Sequence, residues 1–198
     1  AALWKSDKPA EWQAALNAYE SVIDAQGVAR LPELDRWYRN DFPAAIAARR
    51  TAHVTHDELV RVTEWKMARG IFRPRNLVLV RGNPPATVEK TSTAALAAIP
   101  DSKRPIALLA ELAGVGPATA SAIAAAAAPE IYPFFDELVA AQVPGLGTVA
   151  FTPAYYAKYA AALRDRAAEL SAPWTPATVE QALWAHVGGK AGVRKGKG

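Results

Sequence analysis

Apolar positions along this chain recur at three- and four-residue spacing between proline and glycine breaks, the period of helices that bury one face. Leu59, Val60, Thr63 and Met67 form the clearest such stripe. Thr55 to Glu58 ahead of it reads as a capping box, in which hydroxyl and carboxylate satisfy free backbone N–H groups, and Gly70 marks the stop. Pro9 opens a helix expected to run to about Ala25, with Gly27 just beyond. Pro32 and Pro43 open two short helices around Arg36-Trp37-Tyr38. Asn83-Pro84-Pro85 breaks the chain before a helix through Leu96, and a short helix covers Arg104 to Leu112. Thr152-Pro153 and Thr175-Pro176 each place an N-cap residue before proline, starting helices that end near Leu170 and Val187. The segment Asn76-Leu77-Val78-Leu79-Val80 has strand-like composition. A lone strand would have no partner, however, and Pro74 with helices on both sides predicts a helix. The fold class expected is therefore all-α.

At 198 residues the chain suits one domain, residues 1–188, built as two small helical lobes that share a cleft, the second lobe spanning about 55–140. Residues 189–198, with Lys190, Arg194, Lys195 and Lys197, read as a basic flexible tail. Hydrophobic residues make up 51% and charged residues 21%, enough apolar material for a core and too little charge for a disordered chain. The absence of cysteine excludes a disulfide framework, a thiol nucleophile and cysteine-ligated metal, and fits an intracellular protein, nuclear if the source is eukaryotic. No apolar run approaches the roughly 18 residues of a membrane span, and the N-terminus lacks the basic-then-apolar order of a signal peptide. Net charge is only +4, but its placement matters more. Lys66, Arg69, Arg73 and Arg75 fall within one short stretch, and clustered cations attract phosphates through counterion release.

Gly114-Val115-Gly116-Pro117 carries the strongest chemical signal. Two glycines permit positive φ and leave no Cβ in the way of an approaching ligand. Val115 between them can plug inward, and Pro117 opens a helix whose first N–H groups, at Ala118 and Thr119, point back toward the turn. Bare amides at a helix N-terminus bind anions and so grip phosphate without reading sequence. The same residues would also serve as a plain turn between two core helices.

The Leu-x-x-Leu helix before this turn, the Gly-Val-Gly and the Pro-x-Thr-Ala-x-x-Ile after it together resemble the helix-hairpin-helix of the DNA glycosylase superfamily. The match covers about 25 residues. Glu64-Trp65-Lys66, with Gly-Val-Gly-Pro-Ala-Thr-Ala and a Pro-Phe-Phe segment, is similar to a set found in a fungal and plant branch of that fold. The resemblance implies double-stranded DNA, possessing a damaged base, as partner, a monomeric protein, and excision of the base from its sugar. It also implies a catalytic aspartate after the hairpin. Asp136 lies 22 residues after Gly114, behind Tyr132-Pro133-Phe134-Phe135, at the family's spacing. There it would stabilise the oxocarbenium-like sugar or orient water as a flipped base departs. Asp136 ahead of Glu137 also reads as an N-cap, and the two roles are compatible. Bifunctional members carry a lysine nucleophile two residues after the second hairpin glycine. Ala118 stands there, so the resemblance implies base release without strand cleavage. It implies no cofactor beyond a potassium or sodium ion between hairpin carbonyls and phosphate.

Trp65, Phe72, Phe134 and Phe135 are the aromatic candidates for a base pocket, Trp65 and Phe72 reading equally well as core. His53 and His56 have a metal-compatible spacing but no third ligand, and no metal site is assigned. Val143-Pro144-Gly145-Leu146-Gly147-Thr148 echoes the hairpin faintly and reads as a loop. Nothing before Thr55 matches the base-pocket segment of active glycosylases, which leaves a non-catalytic nucleic-acid-binding module as the alternative function and a protein-interaction domain as a weaker one.

Overall fold

The computed structural model describes residues 1–197 and contains helices and connecting turns, with no strand among the described residues. A short 3₁₀ turn at Leu3–Lys5 precedes α1 (Pro9–Asn17) and α2 (Tyr19–Ala25). The single helix expected over this stretch is interrupted at Ala18, whose N–H is shared among the carbonyls of Ala14, Ala15 and Leu16. The kink lets Trp12 and Tyr19, seven residues apart, both bury completely. α3 (Leu31–Arg36) runs through one π turn at Trp37–Asp41 into α4 (Phe42–Ala48), so Pro32 and Pro43 open pieces of one nearly continuous rod. The wide turn brings Trp37 and Phe42 into a stack with ring centres 4.7 Å apart.

α5 (His56–Arg69) is the pillar of the site. Its capping box is fully formed, with the Glu58 amide donating to Thr55 and the Thr55 amide donating to Glu58. Arg49 closes the same carboxylate with two bonds of 2.7 and 2.9 Å. Gly70 ends the helix, and α6 (Pro74–Arg81) follows, so the strand-like run is helical as its neighbours required. α7 (Pro85–Ala97), α8 (Arg104–Leu109) and α9 (Pro117–Ala127) complete this half. α9 is alanine-rich and buried almost all round, and packs on α5 and α4 with small side chains that allow close approach.

α10 (Glu137–Ala140), α11 (Pro153–Leu170) and α12 (Pro176–His186) return the chain to its start, where α12 lies along α1 and α2. α12 is the central helix of that half, with Val179, Ala182, Leu183 and Trp184 buried. One continuous apolar cluster connects both halves. No helix among the described residues is long and apolar enough to cross a membrane.

The basic tail is corrected by the structure. Gly189–Lys195 forms α13, anchored by Gln26, which accepts from the Ala191 amide at 3.0 Å and donates to the Gly188 carbonyl at 3.0 Å. Gly188 and Gly189 both have positive φ, and a Cβ on Gly189 would lie 2.5 Å from the Trp184 ring. Two glycines thus fold the last helix back onto α12, where composition alone suggested a floppy arm. Gly198 lies outside the described residues.

Candidate functional site

The turn between α8 and α9 docks on α6. Gly114 has φ +74°, and a Cβ there would lie 2.6 Å from the Asn76 carbonyl and 2.9 Å from the Val80 amide. Only glycine permits both the left-handed backbone and this approach. Asn83 brackets the preceding residue, donating to the Ala113 carbonyl and accepting from the Ala113 amide at 2.9 Å each. Val115 plugs inward, 6% exposed. Gly116 departs from expectation: its backbone is extended, φ −101° and ψ −176°, and a Cβ there would meet nothing within 4 Å. It is glycine facing open space.

α5, α10, α11 and α12 each begin with a side-chain cap, from Thr55, Asp136, Thr152 and Thr175. α9 has none. The amides of Gly116, Ala118 and Thr119 find no acceptor among the described residues, which leaves donors for an anion at the helix's positive end. The Thr119 side chain is buried and outside the cleft wall, so its share of the expected contact is limited to backbone. The carbonyls of Gly114 and Val115 likewise accept no hydrogen bond among the described residues. Such hard oxygen donors fit the monovalent cation that the hairpin resemblance implies.

A cleft of about 290 Å³ opens beside the hairpin. Its wall includes Gly114, Gly116 and Ala118 from the hairpin, Phe134, Phe135 and Asp136 from the segment before α10, and Lys66 and Arg73 flanking the end of α5. Ser121 couples two of these walls: its hydroxyl donates to the Ala118 carbonyl at 2.7 Å and accepts from the Phe135 amide at 2.8 Å. Tyr156 and Tyr159 hold the same segment from behind, donating to the Pro133 and Phe134 carbonyls at 2.8 and 2.7 Å. Burial pushes both phenols well above their ordinary range, so they remain donors at neutral pH.

Asp136 caps α10, its Oδ1 accepting from the Leu138 amide at 2.7 Å. Its Oδ2 lies 3.2 Å from Arg69 Nη2, and 13% of the side chain is exposed. Arg69, expected to meet phosphate, is instead 2% exposed. It is held by Glu180 of α12, whose Oε1 and Oε2 lie 2.6 and 2.8 Å from Nη2, and sits 4.4 Å over the Trp184 ring and 5.1 Å over Phe134. Burial opposes the charged guanidinium, but Glu180 holds it protonated, well above its usual value. Burial in turn pushes the Glu180 carboxyl up, and Arg69 opposes that shift.

Behind them the network continues. Arg39 donates to the Tyr19 hydroxyl at 2.7 Å, and Tyr19 and Trp65 both donate to Asp35, at 2.8 and 3.0 Å. Trp65 is thus corrected: it is wholly buried, stacked on Tyr38 with centres 3.8 Å apart, and does not reach the cleft. Its indole needed a buried acceptor, and Asp35 supplies one.

Phe72 and Arg75 also lie off the cleft wall. Phe72 is 68% exposed on the α5–α6 connection, and Arg75 shares the outward face of α6 with Val78 and Leu79. Lys66 does line the cleft, where burial and then neighbouring Arg73 hold its amine below the ordinary lysine value. The sequence reading missed Glu180, Lys190 and Phe151. Lys190 reaches the cleft from α13 and donates to the Gly70 carbonyl at 2.9 Å. Phe151, 48% exposed, packs against Phe135 with centres 5.0 Å apart. The legible hint for Glu180 was a lone acid on the apolar face of α12, beside Val179 and Leu183. His53 and His56 each bond a backbone carbonyl, of Thr51 and Arg81.

Compared with protein-family models, with curated proteins and with solved structures, the chain matches none.

Proposed function

We propose that this protein binds duplex DNA as a monomer through the Gly114–Ala118 hairpin and releases a damaged base from its sugar in the adjoining cleft, with Asp136 as the catalytic residue. One observation carries the reading: the uncapped start of α9 and the Asp136 carboxylate line the same cleft, with Lys66, Arg73 and Lys190 around them. None of those three cations is paired with a carboxylate among the described residues. Cations and free amides meet the phosphates; Phe135 and Phe151 offer apolar walls for a planar ring. The cleft falls near the lower end of the range of about 300–1,000 Å³ typical of ligand sites, a size for one extruded nucleotide.

Asp136 then acts on the sugar. As the bond from C1′ to the base nitrogen breaks, its electrons leave with the base and positive charge develops on the ring. A fixed carboxylate stabilises that charge without reorganising, and water adds at C1′ to give the abasic sugar. A monovalent cation held by hairpin carbonyls would add charge against phosphate. Ala118 offers no amine at the lysine position of bifunctional relatives, so the abasic strand should remain intact until treated with alkali.

The second reading, a non-catalytic nucleic-acid-binding module, is favoured by the engagement of both Asp136 oxygens, one by Leu138 and one by Arg69. The deciding experiment measures abasic sites formed on a panel of damaged-base duplexes by wild type and Asp136→Asn. Release by wild type, lost by about a hundredfold or more in the variant with DNA affinity kept, supports excision. Binding without release on any duplex leaves the module and reduces Asp136 to a cap.

A further inference from the structure

Arg69, Glu180 and Asp136 form a group of two acids and one base. Arg69 and Glu180 are both 1% exposed as side chains, and their contact is the shortest in the group, at 2.6 Å. A buried ion persists only against a counter-charge, and these two answer each other. The nearby Arg39 is answered separately by Asp35, whose carboxylate lies 3.7 Å from its Nε. Asp136 is therefore surplus to neutralisation. It takes the longer contact, 3.2 Å from the same Nη2, and is the only acid of the three that lines the cleft.

We infer that Glu180 is a positioning residue: by occupying the Arg69 guanidinium it leaves the unbalanced negative charge of the group on Asp136, where the cleft can use it. Without Glu180, Arg69 would claim Asp136 as its sole counter-ion, and the pair would present no net charge to the cleft. Arg69 alone would quench the carboxylate; Arg69 with Glu180 fixes its orientation and leaves its charge. The inference builds on the base-release reading for its consequence, although the arrangement of charge can be measured without it.

Two variants separate this role from a merely structural tie between α5 and α12. Glu180→Gln keeps the shape and an acceptor but removes the charge. The double variant Arg69→Met/Glu180→Met removes both buried ions, leaving Asp136 as an ionised N-cap. In base release, Glu180→Gln should lower kcat by about a hundredfold with KM little changed, and the double variant should recover at least about tenfold of that loss. A structural tie predicts the reverse order, the double variant being worst.

A second readout needs no turnover. Carbodiimide activation with a small amine, followed by peptide mass spectrometry, reports how freely Asp136 reacts. Labelling should fall several-fold in Glu180→Gln and return in the double variant. Equal labelling of Asp136 in wild type and Glu180→Gln, both folded by circular dichroism, would overturn the inference. If no wild-type duplex reaction is found, the labelling series still decides the matter, and the failure then belongs to the excision reading alone.

Discussion

Two glycine turns in this chain share a pattern and differ in everything else. Gly114-Val115-Gly116-Pro117 and Pro144-Gly145-Leu146-Gly147 both place glycines two apart beside a proline. In the first, Gly114 is driven against the α6 backbone and the chain turns directly into the eleven-residue α9. In the second, Gly145 and Gly147 both have positive φ, yet a Cβ on either would meet nothing within 4 Å. No helix follows until Pro153. Glycine spacing marks where a chain can turn. A docked partner element and a helix beginning at once convert a turn into a rigid donor site.

That contrast is open to direct test. Gly114→Ala combines left-handed strain with a backbone clash, and should cost about 3 kcal/mol or more, read as a lower denaturation midpoint at unchanged slope. Little loss would mean that the hairpin does not dock on α6. Asn83→Ala deletes both bonds to Ala113 and leaves that peptide unsatisfied, for a loss of about 2 kcal/mol by the same measurement. Gly145→Ala carries backbone strain alone and should cost about 1 kcal/mol. A cost equal to that of Gly114→Ala would erase the distinction between the turns. Gly116→Ala should leave stability within about 0.5 kcal/mol, since its Cβ enters open space, while weakening duplex binding in a fluorescence-anisotropy titration. Unchanged DNA affinity there would remove the hairpin from the interface.

Much of the architecture was readable because it follows from local rules. Thr55 and Glu58 make their capping box, Pro153 and Pro176 sit at the first turn of their helices, and Gly70 ends α5. Asn76–Val80 shows local propensity overruled, since its valines and leucines form one turn of a helix with Leu77 and Val80 inward. The candidate site was legible in part. Spacing singled out Gly114, Gly116, Ala118 and Asp136, which do line one cleft, as do Phe134 and Phe135. Lys66 and Arg73 were found through charge clustering, but the same clustering misplaced Arg69. Charge in sequence does not say which side of a helix faces water. Arg69 lies one turn from Lys66 yet points into the core, where Glu180, more than a hundred positions away, meets it.

The sequence by itself determined where helices begin and stop, because caps, prolines and glycines act on their own backbone within a turn of chain. It determined as well that one uncapped, glycine-led helix would offer free amides. Tertiary structure alone decided which charges are buried and which are free. Burial is a property of neighbours brought together by folding, and a guanidinium under Trp184 beside Glu180 behaves unlike one in water. It also decided that Gly188 and Gly189 fold α13 back so that Lys190 reaches the cleft, a closure that required Gln26 and Trp184 to be waiting there.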